Sequence, residues 1–160
     1  MSETKFKTIR HIETVRNYLN AVIKELLNRA EQHDQSKLQS PEAEMFEEFT
    51  SKLRSCTYGS EEYKGFLKDM GLPLKHHYEN NRHHPEHFKD VGVNGMTLID
   101  LFEMLCDWKS SGMRHDDGDI FRSIENNQER FKLSEQLVLI LRNTATWMNS
   151  EKVFHKANES

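Results

Sequence analysis

The chain has 160 residues, 36% hydrophobic and 30% charged, with seven Gly, three Pro and a net charge of -4. A single domain of this length buries enough surface to fold without disulfide staples. The composition argues against a turn-rich β-sandwich, and the charge gives no general attraction to nucleic acid or anionic membrane.

Cys56 and Cys106 sit in no metal-ligand spacing, so a reduced, cytoplasmic protein is expected. The first residues lack the apolar core of a signal peptide, and no run approaches the ~18–20 apolar residues of a membrane span. Residues 5–31 read as one amphipathic helix. Ile9, Ile12, Val15, Leu19, Val22 and Leu26 step by three and four. His11 stands at the edge of that face. His33 and Asp34 follow as a pair. Helical neighbours differ by ~100°, so the two can serve one ion only where the helix ends and the backbone opens. Ser36, Ser40 and Pro41 fit such an end.

Ser40 as N-cap and Pro41 at the first position then open a second helix. Met45, Phe46, Phe49 and Leu53 form its apolar face, and Glu42, Glu44, Glu47 and Glu48 read as a solvated one. Residues 55–60 read as a loop. Ser60 opens a third helix, Gly71 ends it, and Pro73 opens a fourth over 73–81. That fourth helix begins the densest stretch of the chain. His76, His77, His83, His84 and His87 are five of the nine histidines, and imidazole is the commonest metal ligand. Pro85 biases His84 away from helical angles, so residues 82–84 read as extended or turn.

Residues 88–95 read as loop. Thr97 caps a helix over 98–109 in which Asp100, Glu103 and Asp107 share one stripe beside Leu101 and Leu105. Buried carboxylates need a charge partner, either a metal ion or a neighbouring cation. His115-Asp116 reads as a surface loop. Helices over 120–130 and 134–149 follow, and then a polar tail.

The expected fold is therefore all-α, a compact single-domain helical bundle over 1–160. In order, His11, His33-Asp34, His77, His83-His84 and Asp107 are candidate ligands. This set resembles the HD-domain superfamily of metal-dependent phosphohydrolases. His33-Asp34-Gln35-Ser36-Lys37 is similar to that superfamily's His-Asp-x-Gly-Lys, with Ser36 in place of Gly. His83-His84-Pro85-Glu86 is similar to the His-His-Glu element of one branch, with Pro85 inserted. The segments around residues 33–37, 83–88 and 103–108 also resemble a small uncharacterised bacterial and phage family. The resemblance implies one or two divalent ions (Mn, Fe, Zn or Mg) and hydrolysis of a nucleotide or other small phosphate ester by a metal-activated water. It implies Asp34 as a bridging ligand. Lys37 is the candidate cation for the phosphoryl group, Arg82 and Arg114 are candidate substrate contacts, and Glu86 is a candidate acid/base residue. Two alternatives stand beside it: a di-iron oxygenase of the same superfamily, and a non-catalytic metal-stabilised interaction module. The expected partner is a small phosphorylated substrate, with no membrane and no nucleic acid, and the sequence is compatible with a homodimer. One spacing conflicts with the set. His11 and His33 are 22 positions apart with no Gly or Pro between them, about 33 Å along a straight helix. For His11 to join, the helix must break and fold back, at Asn17, Asn20 or Asn28.

Overall fold

A computed structural model describes residues 2–56, 60–113 and 118–150. Part of the loop expected over 55–60, Arg114, the His115-Asp116 pair, the Leu53 side chain and the tail from 151 lie outside the described residues. Among the described residues the structure is all-α, without strands. The chain divides into two units, Met1–His33 and Asp34–Ser160.

The first unit is a single helix, α1 (Glu3–Gln32). Ser2 caps it, its hydroxyl accepting from the Lys5 N–H at 3.3 Å. Toward its other end, Arg29 donates to Glu25 at 2.8 Å, one turn back. The helix runs unbroken through Asn17, Asn20 and Asn28. This corrects the fold-back that ligation by His11 required: without a breaking residue, the hydrogen-bond ladder continues. His11 lies exposed at mid-helix, about 33 Å of helix rise from His33. No residue of α1 is buried. At His33 the backbone leaves the helix with ψ 122°.

The second unit opens at Asp34, whose φ of 57° and ψ of 13° are left-handed. Asp is one of the few side chains that tolerate this region. The turn it makes leads into a 3-10 turn, Gln35–Leu38. Helix α2 (Glu42–Ser55) follows, with Pro41 rather than Ser40 at its cap. Ser60 caps α3 (Glu61–Asp69), accepting from the Tyr63 N–H at 3.1 Å. Gly71 has a φ of 50° and opens α4 (Gly71–Asn80), so it turns the chain between two helices, where a side chain would be strained. After α4, His84 is extended at φ -95° and ψ 126°, as Pro85 requires. Pro85–Gly95 forms 3-10 turns interrupted at Lys89 and Gly92. Thr97 and Asp100 make a reciprocal capping box for α5 (Leu98–Gly112). Asp119 caps α6 (Ile120–Phe131), and α7 is Glu135–Ser150.

The main core lies among α5, α6 and α7. Val138, Leu141, Ala145 and Met148 face Met104, Leu105, Trp108, Ile120 and Ile124. Each large buried side chain contributes about 1.5–3 kcal/mol. Trp108 and Phe131 stack with an interplanar angle of 6°. A smaller cluster, Met45, Phe49 and Met70, joins α2 to the segment around α3 and α4. It brings Glu42 at the start of α2 to the histidines of α4. No helix among the described residues is long and apolar enough to cross a membrane.

Candidate metal centre

Asp34 is the focus. Its left-handed backbone turns the carboxylate toward α4 and the segment that follows it. Oδ1 of Asp34 lies 3.5 Å from Nε2 of His77 and 3.5 Å from Nε2 of His83. Nε2 of His77 lies 2.8 Å from Nε2 of His84. The four side chains Asp34, His77, His83 and His84 each offer a donor atom, all within 4.8 Å of one another. Oxygen or nitrogen donors about 2.0–2.2 Å from an ion stand about 3.4 Å apart in a tetrahedral shell. The two 3.5 Å separations suit that spacing, so the donor set fits a divalent ion. Asp34, His83 and Asp107 likewise offer atoms within 4.8 Å of one another.

The local backbone explains how adjacent residues converge. His77 projects from α4 and is almost wholly buried. The extended backbone at His84 lets both rings of the His83-His84 pair serve one centre, with ring centroids 4.1 Å apart. His33 ends the first unit, its N–H donating to the Arg29 carbonyl at 2.8 Å. Its place next to Asp34 is fixed by the chain itself.

The surroundings are built from two carboxylates, Glu103 of the acidic stripe and Glu42, which the sequence does not single out. Glu42, expected to be solvated, is fully buried. Its Oε2 accepts from His77 Nδ1 at 2.8 Å and from the Ser36 hydroxyl at 2.9 Å, and its Oε1 accepts from His76 Nδ1 at 2.6 Å. Glu103 Oε1 lies 3.1 Å from His83 Nδ1. The acidic stripe on α5 thus divides its labour. Asp100 receives Arg82, Glu103 faces His83, and Asp107 lies near Asp34.

With Nδ1 of His77 donating to Glu42, its Nε2 accepts, and His84 is the donor across their 2.8 Å contact. Burial, reinforced by Lys37, lowers the His77 pKa from its ordinary 6.5. Burial, then the neighbouring His83 and His77, holds His84 well below 6.5. Both rings are therefore neutral at pH 7, the form that binds metal.

Lys37 Nζ lies 2.5 Å from Asp34 Oδ2 and 4.7 Å from the centroid of the Phe46 ring. Arg82 makes a forked pair with Asp100, at 3.2 and 3.1 Å. Glu86 accepts from Arg130 at 2.6 Å. His87 Nδ1 lies 3.2 Å from the Tyr78 carbonyl. Arg82 and Glu86 are thus held by partners away from Asp34, because α5 and α6 supply opposite charges within reach. His11, on α1, is not brought together with His33.

No curated protein matches this chain, and no solved structure matches it. The match is to a protein family, over residues 1–147. The chain belongs to that family, a family of unknown function designated DUF5662.

Proposed function

We propose that the protein is a metal-dependent phosphohydrolase, related to the HD-domain superfamily, acting on a nucleotide or another small phosphate ester. The observation that carries this reading is Lys37. Its ammonium meets Oδ2 of Asp34, while Oδ1 faces His77 and His83. A fixed cation beside a mixed imidazole and carboxylate cluster suits a site that receives a phosphoryl anion. The side chains of Lys37 and Asp34 keep 27% and 18% exposure, so a solvent-borne ester can reach them. Asp34, His77, His83 and His84 would hold a divalent ion, with Asp107 beside Asp34 for a second. A bound ion supplies Lewis acidity and lowers the pKa of water. Mn, Fe or Zn matches three imidazoles and a carboxylate, whereas Mg prefers oxygen ligands alone. Lys37 orients and neutralises phosphoryl oxygens. Cys56 and Cys106 are free thiols, which fits a cytoplasmic setting.

A second reading draws on donor number. Four protein donors fill a tetrahedral ion and leave no place for substrate, as in a structural site. A six-coordinate ion keeps two positions open. Elemental analysis of protein purified without a His-tag, followed by a phosphate-release screen over nucleotides and other small phosphate esters, separates the readings. The hydrolase reading expects bound metal and release. It also expects Lys37→Gln to lose about 10²-fold or more in kcat/KM at unchanged metal content. Bound metal other than a pair of irons, without release from any nucleotide or other small phosphate ester, selects the structural module. Two irons per chain without phosphate release select the oxygenase.

A further inference from the structure

Glu42 and Glu103 each meet the ring nitrogen of a histidine that faces away from Asp34. We infer that Glu42 and Glu103 are positioning residues of the metal centre. Each fixes one histidine as the Nδ1–H tautomer, so that its Nε2 lone pair faces Asp34. The inference rests on the metal reading of this cluster.

Two different helices supply these carboxylates, Glu42 as a hydrogen-bond partner of His77 and Glu103 as a charge contact of His83. His77 has Nδ1 at 2.8 Å from Glu42 Oε2 and Nε2 at 3.5 Å from Asp34 Oδ1. His83 has Nδ1 at 3.1 Å from Glu103 Oε1 and Nε2 at 3.5 Å from the same oxygen of Asp34. An ionised carboxylate only accepts, so a nitrogen hydrogen-bonded to it carries the proton, as at His77, while at His83 the nearby charge of Glu103 favours the proton on the facing nitrogen. In a neutral ring the other nitrogen then carries the lone pair. A carboxylate behind a ligating histidine fixes the ring and raises its basicity.

Asn81 does not compete for this role. Its Nδ2 approaches His77 Nδ1 at 3.1 Å, but its two hydrogens go to the His77 carbonyl at 2.8 Å and the Ser36 hydroxyl at 2.9 Å. Glu42 is left as the acceptor for His77. It also binds His76 and Ser36, so all its contacts come from donors. A Gln at this position can accept from one histidine only. Its amide hydrogens would meet the N–H of the other, donor against donor.

Two measurements on the full chain test this. One is a competition titration of Zn2+ against a chromophoric chelator, on wild type, Glu42→Gln and Glu103→Ala. The other is the histidine 15N spectrum of each metal-free protein, which reports the tautomer directly. The expected result is Zn2+ binding about ten- to hundred-fold weaker in each variant. The Nδ1–H preference should be lost at His77 in Glu42→Gln and at His83 in Glu103→Ala, which removes the acceptor outright. Wild-type affinity together with unchanged tautomers in the variants overturns the positioning role and leaves the metal reading intact. If wild type binds no Zn2+, Mn2+ or Fe2+, the metal reading falls, and the assignment of the two residues to a metal centre falls with it. A wild-type chain that binds metal with Nε2–H at both rings overturns the positioning role alone. Should Glu42→Gln fail to fold, which far-UV circular dichroism reveals, the half-buried Glu103 still decides.

Discussion

Ile124 and His77 are both almost inaccessible to water, yet their neighbourhoods are opposite in kind. Ile124 sits in a cluster of aliphatic, thioether and aromatic side chains from α5, α6 and α7. His77 sits with Glu42, Asn81, His83 and Asp34, joined by ring nitrogens, carboxylates and an amide. The first neighbourhood is held by burial of area, which is tolerant of direction. The second is held by matched donors and acceptors, and burying them costs free energy unless each match is made. An apolar core would hold the same helices together with less demand on geometry.

This contrast can be broken from either side. The largest effect is expected at the focus of the polar region: Asp34→Ala should abolish metal binding, read as loss of metal after purification. Retention of full metal content would refute the centre. In the apolar region Ile124→Ala should cost about 2–5 kcal/mol of unfolding free energy in denaturant titration, with Zn2+ affinity of the folded protein unchanged. A parallel loss of affinity would show that the two regions are coupled.

A weaker effect separates them by pH. His77 and His84 are held below 6.5 in the folded protein and return toward it on unfolding. Between the folded and unfolded values the unfolded chain binds more protons. The metal-free protein should keep this stability above about pH 6.5 and lose it as the pH falls below. Thermal melts from pH 7.5 to 5 check this, and a midpoint that rises on acidification would contradict it. The smallest effect is at a helix end. Thr97→Ala removes the cap of α5 and should cost about 1 kcal/mol, read as a modest drop in melting midpoint at constant metal content.

Features set by near neighbours were legible in the sequence. Thr97 as the cap of α5, the extended backbone before Pro85, and the grouping of Asp100, Glu103 and Asp107 on one stripe all follow from local rules. Asp34, His77, His83 and His84 could be singled out by residue type and order. The task of Glu42 could not. An acid in the first turn of a helix usually faces water, and here it is buried because α4 packs over it with two histidines. The partners of Arg82 and Glu86 were hidden for the same reason: Asp100 and Arg130 are remote in sequence and reach them only in the fold. For α1 the local pattern favoured one continuous helix, and the fold-back expected for His11 had no breaking residue to support it.

The carboxylate of Asp34 and the ring of His77 converge on one point from positions roughly forty residues apart. An ion bound there would be a reversible cross-link in a chain whose two thiols are free. Closing a loop of that size restricts the unfolded chain by about 4 kcal/mol in the chain-entropy treatment of cross-links. A chelator would then act on this protein as a reductant acts on a disulfide-stapled one. It would loosen the second unit from within, lowering the melting midpoint while every peptide and side chain stays intact.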